Sequence, residues 1–171
     1  MVIWIIGLSA AGKSTLANAI VKKIREQNKK VCLLDGDLIR DLFKNDVDHS
    51  VDGRYRNAER LSTISKFLGE QGIPVVAAVL SIFPGWQDWN RLNIKNYYQI
   101  YIKVSMKKLK VRETKGLYKA ANAGTLSNVV GVDIEFPEPK NSDLVINNDI
   151  DNLDFNLMAD EILKNYFAKS L

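Results

Sequence analysis

Residues 2–15 read VIWIIGLSAAGKST: five apolar residues run into a glycine-flanked loop that ends in a lysine and two hydroxyl side chains. An apolar, β-branched run closed by a turn signal is the pattern of a strand buried in a parallel sheet. Gly7, Gly12, Lys13 and Ser14 fill every fixed position of G-x-x-x-x-G-K-S/T. In that motif the loop N–H groups and the start of the next helix cradle an anion. The lysine reaches the β- and γ-phosphates and the hydroxyl holds Mg²⁺. A nucleoside triphosphate is therefore expected on Gly7, Leu8, Ser9, Ala10, Ala11, Gly12, Lys13, Ser14 and Thr15, with Ser14 as the metal ligand.

The rest of the chain alternates in kind. Strands are predicted at 2–6, 31–34, 73–80, 98–104 and 144–147. Helices are predicted at 13–28, 37–44, 54–71, 105–113 and 153–168, the last with Phe155, Met158, Ile162 and Phe167 inward. Such alternation implies an α/β fold, a parallel sheet with helices on both faces, and ligands outside the carboxyl ends of the strands. Residues 114–142 read as an extended loop, and long loops in compact domains are commonly lids. With 171 residues, no repeat and no linker, one domain over 1–171 is expected. Trp4, Trp86 and Trp89 read as core or interface residues.

Charge and cysteine content narrow the classes. A net charge of +4 without a basic run gives no sign of a nucleic-acid partner. The apolar start lacks a basic leader and a cleavage site and no membrane span is visible, so a cytoplasmic protein is expected. Cys32 is the single cysteine, which excludes an internal disulfide and a multi-cysteine metal site; within VCLL it reads as a small core residue.

Beyond the loop, LLDGD at 33–37 falls at the end of the second strand, where a second substrate would meet the γ-phosphate. Asp35 and Asp37 there suit Mg²⁺ binding through water or acceptance of a hydroxyl proton; Asp37 is equally suited to cap the next helix. Together with Lys13 they form the candidate catalytic set. Arg40 shares a helical face with Asp37. Arg54, Asn57 and Arg60, spaced i, i+3 and i+6, form an edge able to grip a phosphate.

These segments together resemble the adenylylsulfate kinases, which transfer the ATP γ-phosphoryl group to the 3′-hydroxyl of adenosine 5′-phosphosulfate. GLSAAGKST matches the family's GLSGAGKST-type loop and LDGDLIR at 34–40 its LDGDxxR. Arg54 and Asn57 match its R-x-x-N, and KGLYKAANAG at 115–124 its KGLYKKARAG lid. The segment from Gly131 and Asp133 through Pro139 to LVI at 144–146 follows its tail. The resemblance implies an ATP-dependent kinase with Mg²⁺, a small nucleotide acceptor held by Asp37, Arg40, Arg54, Asn57, Ser81 and Lys115, and a homodimer.

The departures cluster on the acceptor side. Two phenylalanine rings that sandwich the acceptor adenine in that family are matched here by His49 and Val129, both still acceptor-binding candidates. The aspartate before the R-x-x-N arginine is Gly53. SFISPYR has become AVLSIFP at 78–84, keeping Ser81, and the lid arginine is Asn122. Losing both rings removes stacking worth roughly 1–3 kcal/mol per base contact. Three readings stay open. One is an adenylylsulfate kinase with a drifted pocket. The second is a relative acting on the ribose 3′-hydroxyl of another nucleotide, as do the cytidine diphosphoramidate kinases of bacterial capsule phosphoramidate pathways. The third is a nucleotide-binding switch without catalysis. The placement of the changes favours cytidine diphosphoramidate as acceptor, because a pyrimidine needs less stacking area. Retention of Lys13, Ser14, Asp35 and Asp37 speaks against the switch.

Overall fold

The computed structural model describes residues 1–150 and 153–169. Five strands, β1 (Val2–Ile6), β2 (Cys32–Asp35), β3 (Val75–Val79), β4 (Tyr97–Lys103) and β5 (Leu144–Asn147), form one parallel sheet in the order β2-β3-β1-β4-β5. The chain steps from β1 to one side of the sheet and later crosses to β4 on the other. The carboxyl end of β1 is thus the switch point at which such sheets bind ligands.

Among the described residues seven helices cover the sheet: α1 (Lys13–Glu26), α2 (Gly36–Leu42), α3 (Val51–Glu70), α4 (Pro84–Asn93), α5 (Met106–Arg112), α6 (Leu117–Asn122) and α7 (Phe155–Lys169). Residues of β1 alternate between two cores. Ile3 and Ile5 pack with Leu16, Ile20 and Ile24 of α1 and with Ile162 and Tyr166 of α7. Val2, Trp4 and Ile6 pack with Ile39 of α2, Leu61 of α3 and Trp89 of α4. All five β1 residues are buried, as the unbroken apolar run requires. Burying each of the large aliphatics on α1 contributes about 1.5–3 kcal/mol.

Several predicted boundaries shift for local reasons. Helix α3 begins at Val51, because the Ser50 hydroxyl accepts from Gly53 N and caps it. Helix α2 stops at Leu42, and Lys44 and Asn45 then turn the chain with φ of 58° and 53°. Helix α4 was not predicted: its fully buried positions are the polar Gln87 and Asn90, and its apolar residues are half-buried or exposed, Trp86, Trp89 and Leu92. Helix α6 lies inside the segment predicted as an extended loop, between Gly116 and Gly124, both at positive φ. On α7, Tyr166 turns inward while Phe167 is 43% exposed. The inward series 155, 158, 162 continues to 166 at helical spacing, and the Phe167 ring instead carries the Lys29 ammonium. Trp4 is buried; Trp86 and Trp89 are half-buried and meet edge to face. Cys32, on an edge strand, is half-buried. Among the described residues no helix is long and apolar enough to cross a membrane.

Candidate active site

The loop from Gly7 to Gly12 leaves β1 between the ends of β3 and β4. Both motif glycines are required by space. A Cβ on Gly7 would lie 3.0 Å from the Ile102 carbonyl oxygen; on Gly12, at φ 101°, it would lie 2.8 Å from the Phe155 ring. Ala10 also adopts a left-handed conformation, φ 62°, which costs an L-residue about 1–2 kcal/mol. The Lys13 ammonium donates to the Leu8 carbonyl at 2.8 Å, so the cation lies against the loop it flanks. Burial pushes its pKa down to about 8, opposed by the charges of Asp35 and Asp37.

The Ser14 hydroxyl donates to Asp35 Oδ2 at 3.3 Å. Asp35 Oδ1 accepts from Asp37 N at 2.9 Å, so Asp35, and not Asp37, is the N-cap of α2. The reason is that α2 starts at Gly36, one residue earlier than predicted. Asp37 lies in the first turn with its side chain 75% exposed, 3.6 Å from the Arg40 guanidinium. The two carboxylates thus differ: both oxygens of Asp35 are engaged, while Asp37 faces outward. Magnesium takes few protein oxygens and keeps water and phosphate ligands. A hydroxyl and a carboxylate converging beside the phosphate loop are such a donor set, so Ser14 and Asp35 fit the ion.

On the acceptor side, Arg40 and Asn57 are buried and both donate to the Gly36 carbonyl, at 3.3 and 3.1 Å. This shared contact ties α2 to α3 directly behind Asp37. Arg40 Nε and Asn57 Oδ1 are buried without a partner among the described residues, each a cost of roughly 1–3 kcal/mol unless a ligand satisfies it. Arg54 donates from Nε to the His49 carbonyl at 2.8 Å and from a terminal nitrogen to the Asn128 carbonyl at 2.7 Å. It therefore joins the start of α3 to the segment after α6. Burial lowers the pKa of both arginines, and burial with Arg40 and Arg54 lowers that of His49.

Other candidates are placed less simply. His49 is exposed beside Arg54, whereas Val129 is 2% exposed and belongs to the core, so its side chain does not face an acceptor in this conformation. Ser81, at φ 53°, accepts from Trp4 Nε1 at 3.4 Å and its carbonyl accepts from Gln87. Lys115 is exposed at the start of the α6 segment. Arg60 leaves the phosphate edge altogether. It forms a two-pronged ion pair with Asp46 and stacks on Phe43, because the sixth position along the helix has rotated away from Arg54.

Two residues that sequence reasoning missed hold the loop in shape. Tyr118, fully buried on α6, donates its hydroxyl to the Ser9 carbonyl at 3.1 Å. Asn148, just past β5, donates to the Ala11 carbonyl at 2.9 Å, while its own carbonyl accepts from Arg112. Occupying these carbonyls fixes the peptide planes whose N–H groups form the cradle. A cavity of about 630 Å³ opens at the ends of β4 and β5, but it reaches the loop only at Leu8 and is lined by none of Lys13, Asp35, Asp37, Arg40 or Arg54.

A sequence model of the family described as adenylylsulphate kinase matches residues 1–147. The chain is 41% identical over 147 residues to the cytidine diphosphoramidate kinase of Campylobacter jejuni, covering 86% of this chain and 85% of that one. It is 36% identical over 147 residues to the adenylyl-sulfate kinase of Bacillus velezensis, covering 85% and 75%. Its structure aligns with that of the Mycobacterium tuberculosis APS kinase in complex with AMPPNP and APS, with a TM-score of 0.86, 27% identity and 95% of each chain covered. With the phosphate loop, the DGD carboxylates and the paired arginines in place, this chain belongs to the adenylylsulphate kinase family of ATP-dependent phosphate-loop kinases.

Proposed function

We propose that the protein transfers the γ-phosphoryl group of ATP to the ribose 3′-hydroxyl of cytidine diphosphoramidate. The observation that carries this reading is a contrast within one site. Lys13, Ser14, Asp35, Asp37, Arg40, Arg54 and Asn57 keep the donor and phosphate-binding parts of the family, while His49 and the core-buried Val129 replace the two rings expected to hold adenine. The greater identity to the Campylobacter jejuni enzyme than to the Bacillus velezensis one supports the same choice.

In this reading the acceptor 3′-oxygen attacks the γ-phosphorus, and the bond from that phosphorus to the β,γ-bridging oxygen breaks to release ADP. Asp37, the outward carboxylate, takes the hydroxyl proton. Lys13 leaves the Leu8 carbonyl to neutralise charge on the transferring group. Arg40, Arg54 and Asn57 hold the acceptor's 5′-phosphate end, satisfying the buried Arg40 Nε. Mg²⁺, bound by Ser14 and Asp35 together with the donor phosphates, would supply further charge neutralisation there.

Adenylylsulfate is the second acceptor to test, favoured by the family's unaltered phosphate grip. ATP-consumption assays with each acceptor separately decide between them. The proposal expects a much higher kcat/KM for cytidine diphosphoramidate, and a shift toward adenylylsulfate on His49→Phe, at the exposed position of the two. A tenfold or greater wild-type preference for adenylylsulfate would overturn it.

A further inference from the structure

Gly53 lies in the first turn of α3 with a helical backbone, where glycine costs about 1 kcal/mol relative to alanine and no positive φ calls for it. Its reason is a close approach. A Cβ at this position would lie 2.5 Å from the Asp48 carbonyl oxygen and would also run into the Asp48 carboxylate. The loop before α3 is folded over the helix start and tied down at three points. Arg60 clamps Asp46, Val47 is buried, and Asp48 Oδ1 accepts from both the backbone N and the hydroxyl of Ser50, at 3.1 and 2.5 Å. The Ser50 hydroxyl in turn accepts from Gly53 N at 3.1 Å. Between Asp48 and Ser50 sits His49, whose carbonyl receives the Arg54 Nε.

We propose that Asp48 is a positioning residue for acceptor recognition: seated in the space that Gly53 leaves, it holds the His49 carbonyl where it aims the Arg54 guanidinium. The proposal rests on Arg54 gripping the acceptor. Asp48 fills the space beside Gly53 from the loop, with both its carbonyl and its carboxylate against the glycine. The coupling runs Asp48 to Ser50, to the His49 carbonyl, to Arg54, and ends at the Asn128 carbonyl that Arg54 also holds. Asp48 also lies close enough to Arg40 and Arg54 for its charge to act on both.

That proximity separates positioning from plain electrostatics by sign. Removing a negative charge beside two arginines should tighten an anionic acceptor; removing a positioning contact should loosen it. The test measures kcat and both KM values on the full chain for Asp48→Ala, Asp48→Asn and Gly53→Ala, alone and combined with Arg54→Ala, using ATP with cytidine diphosphoramidate and with adenylylsulfate. Asp48→Ala and Gly53→Ala should raise the KM of whichever acceptor turns over by about tenfold, the equivalent of one charge-assisted hydrogen bond, with the ATP KM unchanged. Asp48→Asn keeps the accepting Oδ1 and should stay close to wild type. In the Arg54→Ala background none of the three should add an effect. A fall in acceptor KM with both Asp48 variants, additivity with Arg54→Ala, or an equal rise in ATP KM overturns the positioning role. If Arg54→Ala alone leaves acceptor KM unchanged, the acceptor-grip reading itself fails, and the role of Asp48 fails with it.

Discussion

ATP binding should take up a proton between pH 7 and 9, because Lys13 is held in the free protein at a pKa of about 8 instead of its ordinary 10.5. The cause is burial against the Leu8 carbonyl, only partly offset by Asp35 and Asp37. Phosphates in the cradle favour the charged form and should return the pKa to its ordinary value or above. The sign follows: below pH 8 the lysine is already charged and binding costs no protonation, whereas above pH 8 it must first be protonated. By linkage the affinity falls by a factor of 1 + 10^(pH − 8), about 1.1 at pH 7, about 2 at pH 8 and about 11 at pH 9. AMPPNP with Mg²⁺ should therefore bind about tenfold more weakly at pH 9 than at pH 7. Calorimetry in two buffers of different ionisation heat should show about half a proton taken up per site at pH 8. Lys13→Arg, charged at every pH in this range, should flatten the profile. A flat wild-type affinity with no proton uptake would refute the placement of Lys13.

Other expectations follow from the same geometry. Asp37→Asn should slow single-turnover phosphoryl transfer while leaving ATP affinity within about twofold, the pattern of a lost general base, whose contribution is typically 10²–10⁴-fold. Asp35→Asn should instead weaken Mg²⁺-dependent ATP binding; the reverse outcome would exchange their roles. Gly12→Ala combines a left-handed backbone, about 1–2 kcal/mol, with a ring contact at 2.8 Å, about 1–3 kcal/mol. Thermal melting should show Tm lowered by roughly 4–20 °C, and an unchanged Tm would mean that Phe155 yields freely. Residues 122–127, exposed between the buried Tyr118 and Val129, should exchange amide hydrogens quickly in the free protein and slowly with ADP plus acceptor. Equal exchange in both states would remove the lid.

How much was legible in the sequence depended on how local each signal is. The phosphate loop was readable because its chemistry lies in consecutive residues, and β1 because burial on both faces leaves an unbroken apolar run. Asp35 and Asp37 were singled out, but which of them caps α2 turned on where that helix starts, a shift of one residue. Helix α4 stayed hidden because Gln87 and Asn90, not aliphatics, occupy its inner face. Arg60 was drawn into the phosphate edge by spacing alone, while its partner Asp46 lies in a loop with no periodic signal. Tyr118 and Asn148 could not be found locally, since the carbonyls they hold are 109 and 137 residues away in the chain. The Asp48–Gly53 contact left one trace, a glycine inside a predicted acceptor-binding segment, and only the folded loop supplies its reason.

The central claim is a choice of acceptor, and competition tests it most directly. With ATP, Mg²⁺ and equal concentrations of cytidine diphosphoramidate and adenylylsulfate in one reaction, the early ratio of the two 3′-phosphorylated products, read by mass spectrometry, equals the ratio of kcat/KM values. The account predicts the cytidine product in excess by at least tenfold, the discrimination that one pocket contact of about 1.4 kcal/mol supplies. A product mixture dominated by 3′-phosphoadenylylsulfate would contradict it.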